Sequence, residues 1–268
     1  YQTQSALTNG TTYWWRARAR DPGGSNSWSN YSDKHSFTID TSISSAVWYQ
    51  TTGEQFATDD NVDIETTAGA AQITSVISGV MVAYGEGTGQ APQYRLWNGS
   101  AWSSAASADP VNAQIDWTRL KAAPTRSEYA LGTLGTDLDV HVQIYDSTTG
   151  NWGDNLTLYN NSNNATRRSF DISYETTSGR LMAVSCVGSN AVYSLWNGTS
   201  WSATSSITLS NANTCEWVQM ASDPTSNEII AVFRHTNTAT PDYEALVWNG
   251  SSWGNSKRFG DVSGASNE

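Results

Sequence analysis

The sequence predicts an all-β fold built from four-stranded repeats, and three observations predict it. The hexapeptide Trp97-Asn98-Gly99-Ser100-Ala101-Trp102 returns at Trp196–Trp201 and Trp248–Trp253, with a looser copy from Tyr145 to Trp152. The closing tryptophans Trp102, Trp152, Trp201 and Trp253 stand 50, 49 and 52 residues apart, the length of one four-stranded sheet with its turns. Between these tips lie two further strand-like runs per unit, the second apolar on nearly every residue, as in a strand covered on both faces. Sheets of this size most often close radially into a β-propeller, while a linear array of the same sheets is the structural rival.

Each tip reads as a β-hairpin. Alternating residues such as Tyr94-Arg95-Leu96-Trp97 run into Asn-Gly, a pair that tolerates positive φ at both centres of a tight turn. The aromatic residues flanking the turn then pair across the strands, which contributes about 0.2 to 1 kcal/mol per pair. The inner pairs follow from Trp117–Leu120 with Tyr129–Leu131, Phe170–Tyr174 with Leu181–Val184, and Trp217–Met220 with Ile229–Phe233, each joined through Pro, Gly, Asn or Ser. Ile64 to Tyr84 fits the same inner pair, and Val47 to Phe56 fits a hairpin like that at Tyr145 to Trp152. Residues 43–268 therefore hold about four and a half units.

Residues 1–42 obey a different rule. Leu7 to Ala19, with Tyr13-Trp14-Trp15, the loop Gly23 to Ser29, and Ser36-Phe37-Thr38-Ile39-Asp40 resemble the corner loop, hairpin loop and last strand of a fibronectin type III module. The resemblance implies a partial immunoglobulin-like sandwich, the final strands only, of a fold that needs about 100 residues and seven strands. An isolated strand pair is marginal in water and leaves an open edge. Completion is expected either from upstream chain or from a neighbouring subunit by strand addition. The candidate assembly residues are Tyr13, Trp14, Trp15, Phe37 and Ile39.

Composition narrows the function classes. The net charge of −11 argues against nucleic acid, whose phosphates need a basic surface. No apolar run is long enough to span a bilayer. Lysine occurs only at Lys34, Lys121 and Lys257, while Ser, Thr, Asn and Gly fill the turns, a composition that suits an extracellular or surface protein. Cys186, in an inner strand, and Cys215, at the start of the next unit, allow either an inter-unit disulfide or two buried thiols. Eight Asn-x-Ser/Thr triplets, at Asn9, Asn30, Asn98, Asn155, Asn160, Asn164, Asn197 and Asn249, are candidate glycosylation sites.

Catalytic chemistry finds little support. His35, His141 and His235 stand alone, with no paired-histidine metal motif. Asp59, Asp60, Asn61 and Asp63 offer hard oxygen atoms but match no calcium loop, so a solvated acidic turn is favoured and neither metal nor cofactor is expected. Asp146 to Trp152 departs from the spacing of the sialidase-type hairpin motif, and glycoside hydrolysis ranks last. The tips do resemble the Trp-rich hairpins of fucose-type lectin propellers. That resemblance implies sugar held between units by aromatic faces and an arginine, here Trp97, Trp196 and Trp248 with Arg95 and Arg234. The leading expectation is nevertheless a non-catalytic structural subunit of a fibre or adhesive assembly, with copies of itself as partners. A glycan-binding propeller is the alternative.

Overall fold

The computed structural model describes residues 11–16, 31–32, 34–38, 64–68, 80–163, 167–236 and 242–260, and every described element is a β-strand. The expected hairpin at 47–56, the acidic turn at 59–63, Ile39 and the triplets at Asn9, Asn30 and Asn164 lie outside the described residues. The chain divides into two compact units, Tyr1–Glu54 and Gln55–Glu268.

In the first unit, β1 (Thr12–Trp15) pairs antiparallel with β2 (His35–Thr38), Tyr13 opposite Phe37. Trp14 and Trp15 are 67% and 52% exposed, Tyr13 is half-buried, and the Arg16 guanidinium lies 3.8 Å from the centre of the Tyr31 ring.

Among its described residues the second unit holds four antiparallel sheets of four strands. Sheet A comprises β3 (Ile64–Ala68), β4 (Val80–Tyr84), β5 (Gln93–Trp97) and β6 (Ala106–Ser107). Sheet B comprises β7 (Ile115–Ala122), β8 (Glu128–Gly135), β9 (Val140–Asp146) and β10 (Asn151–Tyr159). Sheet C comprises β11 (Phe170–Tyr174), β12 (Leu181–Val187), β13 (Asn190–Trp196) and β14 (Ser205–Ile207). Sheet D comprises β15 (Cys215–Ser222), β16 (Ile229–His235), β17 (Tyr243–Trp248) and β18 (Trp253–Phe259). Each is a simple meander, and the first strands adjoin in series, β3 beside β7, β7 beside β11 and β11 beside β15. Because strands alternate in direction, the tryptophan tips share one end of every sheet with the turn after its first strand.

The core lies between the sheets. Met81, Leu120, Leu131 and Tyr145 pack between A and B; Val142, Phe170, Ile172 and Leu181 between B and C; Met182, Val218, Ile229 and Phe233 between C and D. The second strands β4 and β8 are buried along their whole length, as their apolar runs require. Gly132 sets the approach of B to C, since a β-carbon there would stand 2.7 Å from the Phe170 ring. The expectation fails on β16, where burial alternates and Ile230 is 44% exposed. Its second face meets no following sheet among the described residues.

The tips also differ from expectation. Trp97 pairs with Trp102 and Trp196 with Trp201, so four residues rather than two form the loop. Only the glycine has positive φ, +97° at Gly99 and +100° at Gly198. The asparagine caps the loop instead: Asn98 Oδ1 accepts from the amides of Ser100 and Ala101 at 2.9 Å, and Asn197 and Asn249 repeat this. An Asn side chain that bonds the backbone two residues on mimics a turn, which explains the choice of residue without a second left-handed centre.

Cys186 and Cys215 form a disulfide that joins C to D. At the same end, Asn163, just beyond sheet B, donates to the carbonyl oxygens of Gly188 and Cys215 and accepts from the Gly188 amide.

Candidate functional site

The first tryptophan of a tip is fastened to the preceding sheet. Trp248, 2% exposed, donates its indole N–H to Glu175 Oε1 at 2.6 Å. Glu175, fully buried, is held by Arg180 through two bonds of 2.7 and 2.6 Å and by the Ser178 hydroxyl. Arg180 also donates to the carbonyl of Gly250 in the tip itself, at 2.6 Å. The B/C interface repeats the plan with other residues. Trp196, also 2% exposed, donates to Glu128 Oε2 at 3.4 Å, and Glu128 receives Arg126 at 2.6 Å and the Tyr174 hydroxyl at 3.1 Å. Burial, then the Glu128 charge, pushes the Tyr174 phenol well above its ordinary range. A buried carboxylate is tolerable because its oxygens are paired with cation and donors.

These contacts correct the sugar-binding assignments. Trp196 and Trp248 are closed to solvent and offer no ring face to a ligand. Arg234 is paired with Glu216 at 2.8 Å. Trp97 and Arg95, on β5, are half-buried, and Arg234 lies far along the series on β16 of sheet D. The structure therefore does not gather the five residues into one site.

What the tips leave accessible is the second indole. Trp102, Trp152, Trp201 and Trp253 are each half-buried, and their rings sit 5.2 to 5.7 Å from the first aromatic ring of their own tip. At A/B, Tyr94 closes over the pair, 5.5 Å from Tyr145 and 5.4 Å from Trp152. At C/D, Tyr193 does the same, 5.6 Å from Trp248 and 6.1 Å from Trp253. At B/C the matching position, three residues before the tip aromatic, is the aliphatic Val142. Trp201 has no aromatic partner other than Trp196 among the described residues. It donates Nε1–H to the Asp154 carbonyl at 2.6 Å, beside exposed Asp154 and Asn155, whose amide reaches Asp109 at 2.8 Å. The B/C edge thus sets a half-buried indole, packed against the B/C core and without a third aromatic ring, beside exposed carboxylate and amide groups.

Sequence reasoning missed Glu128, Glu175, Arg126, Arg180 and the role of Val142; only the alignment of Tyr94 and Tyr193 against Val142 carried a signal. The remaining buried carboxylates are committed to the scaffold. Asp171 binds Arg119 at 3.0 Å and the Met220 amide at 2.7 Å, joining B, C and D. Burial pushes Glu244 upward, but hydrogen bonds from the Ser210 amide, the Ser256 hydroxyl and the Asn211 amide outweigh it and hold the carboxyl below its usual 4.5. A cleft of about 340 Å³ opens among the ends of β7, β11 and β15, lined by Lys121, Ser173, Thr176 and Ser222. Asn98, Asn155, Asn160, Asn197 and Asn249 are all exposed.

No protein-family model and no curated protein matches the chain. Solved structures do. An Aleuria aurantia lectin variant in complex with Fucα1-6GlcNAc is 14% identical over 89% of this chain and 72% of its own, with a TM-score of 0.51. The same variant with α-methyl-L-fucoside is 13% identical over 95% and 78%, again at 0.51. A further structure of that fungal lectin, described as a six-bladed β-propeller, gives 13%, 95% and 80% with a TM-score of 0.47. The chain has a β-propeller fold. Sheets A to D are consecutive blades of the propeller, with β3, β7, β11 and β15 innermost. This corrects the expectation of a fibre or adhesive-assembly subunit: the propeller's likeness is to lectins that bind fucosides. The blades complete one another side by side through their own inner strands.

Proposed function

We propose that the chain is a carbohydrate-binding propeller that acts outside the cell and catalyses no reaction. The observation that carries this reading is the B/C edge, where the half-buried Trp201 bonds the Asp154 carbonyl beside the exposed Asp154 and Asn155 side chains. A sugar has an apolar face that stacks on an indole and hydroxyl groups that bond to carboxylate and amide, so one edge serves both. The lectins of similar fold were solved with fucosides, which makes neutral fucosylated glycans the first probes. A net charge of −11 with Asp154 at that edge disfavours acidic glycans. The disulfide supports an oxidising, extracellular setting. Commitment of Glu128, Glu175, Asp171 and Glu244 to structural bonds supports a non-catalytic role.

The test is a glycan array followed by titration of the best ligand. Binding by the unaltered protein, reduced at least about tenfold by Trp201→Ala in a variant that stays folded by circular dichroism, is the expected result. A silent array, or full binding by the variant, overturns the reading. For residues 1–42 we propose the partial fibronectin type III-like module. The antiparallel Tyr13–Phe37 pairing and the exposed Trp14 and Trp15, on opposite faces of the strand and one of them on the face a second sheet would cover, support it.

A further inference from the structure

We propose that Asp137, Asp139 and His141 form a binding site for a divalent transition-metal ion of the zinc class, at the end of blade B opposite the tryptophan tips. One ring nitrogen of His141 and one oxygen from each aspartate lie within 4.8 Å of one another. The residues follow one another as Asp-x-Asp-x-His where the β8–β9 turn enters β9, and the turn, with Leu138 at a left-handed φ of 69°, brings Asp137 to Asp139 and His141.

Each group is already anchored by its other end. Asp137 Oδ1 accepts the Asp139 amide at 3.1 Å, and Asp139 Oδ1 accepts the Asn161 amide at 2.9 Å, so the second oxygen of both carboxylates is left for a further partner. Nδ1 of His141 lies 3.2 Å from the Thr157 hydroxyl on β10. A metal-ligating imidazole characteristically bonds through its other nitrogen in this way, which fixes the ring. The independent observation is Nε2 of His141: it is shut off from solvent and has no hydrogen-bond partner. A buried polar atom without a partner is costly and rare, and an ordinary solvated acidic turn does not produce one. A coordinated ion satisfies that nitrogen and neutralises the crowded carboxylates.

The donor set selects the metal. Imidazole with carboxylates suits zinc and its neighbours, whereas calcium takes six to eight oxygen ligands. With ligand bonds of about 2.0 to 2.2 Å and water completing the shell, the three donors draw closer together on binding. The ion would pin the β8–β9 turn to β9.

Calorimetric titration of chelator-treated protein with zinc chloride tests the site. One equivalent is expected to bind, with at least about tenfold weaker binding in His141→Gln and in Asp139→Asn, and no change in Trp201→Ala. Asp137→Asn, at an exposed turn, provides a further variant if either fails to fold by circular dichroism. Absence of saturable zinc binding, or binding unaltered in these variants, overturns the proposal, as does calcium binding of equal affinity that ignores His141. Glycan binding plays no part in this test, so its outcome is independent of the sugar-binding reading.

Discussion

The B/C and C/D interfaces carry the same tip motif and end in opposite conditions. At C/D the indole of Trp248 bonds Glu175 at 2.6 Å, Tyr193 covers the aromatic pair, and a disulfide joins the blades. At B/C the Trp196–Glu128 bond is 3.4 Å, and Val142 stands where an aromatic ring stands at C/D, so Trp201 packs on aliphatic core instead. One residue per blade, placed three before the tip aromatic, thus decides whether a third aromatic ring joins the tip pair. A repeat protein can hold its architecture constant and vary function at that position alone.

The comparison can be broken first at its strongest point. Trp248→Ala removes a buried indole and strands Glu175, and is expected to lower unfolding stability by about 4 kcal/mol. Denaturant titration by circular dichroism measures it, and a loss below about 1 kcal/mol contradicts the clasp. Replacing Cys186 and Cys215 together by serine releases a closure between cysteines 29 apart in sequence, a loss of roughly 3 kcal/mol in the chain-entropy view. An unchanged midpoint in that variant, compared under non-reducing conditions, would show that C/D holds without it.

Tyr193→Val converts C/D toward the B/C arrangement. It should cost roughly 1 to 2 kcal/mol and increase acrylamide quenching of the tryptophan emission as Trp253 is uncovered. Quenching identical to the parent protein argues against the covering role. Smaller still is the contrast between two equivalent glycines. Gly99→Ala meets open space and pays about 1 kcal/mol for its positive φ, whereas Gly198→Ala also meets the Arg126 guanidinium at 3.0 Å and should cost measurably more. Equal losses would mean that Arg126 yields freely.

The last and mildest test is pH. His235 is buried, Nδ1 bonds the Asn213 carbonyl at 3.0 Å, and burial holds the ring below its ordinary 6.5 despite Glu244 nearby. The unfolded chain therefore takes up this proton more readily than the folded one, so stability declines as pH falls from 6.5 toward the folded value. Glu244, held below 4.5, adds a second loss as pH falls past that value. His235→Gln should flatten the upper limb of the stability profile; an unchanged slope would assign it elsewhere.

The tips, the apolar second strands and the propeller were legible because period and alternation are local properties of the chain. The inter-blade position of Cys186 and Cys215 followed from the same period. The burial of Trp196 and Trp248 was not legible. Their carboxylate partners are 68 and 73 residues away and occupy opposite sides of the turn, Glu128 opening β8 and Glu175 following β11, so no repeat alignment pairs them. The metal-type cluster could have been found from Asp137-x-Asp139-x-His141, but the orphaned imidazole nitrogen exists only in three dimensions.

Both carboxylate–indole clasps run in one direction: the earlier blade supplies Glu and Arg, and the later blade supplies the tip. During synthesis, when N-terminal segments fold first, each acceptor is in place before the indole that needs it leaves the ribosome. The propeller is in this sense templated from its beginning. Shortening from the C-terminal end removes a tip and leaves behind a polar turn that water can satisfy, whereas shortening from the other end uncovers the apolar face of an indole.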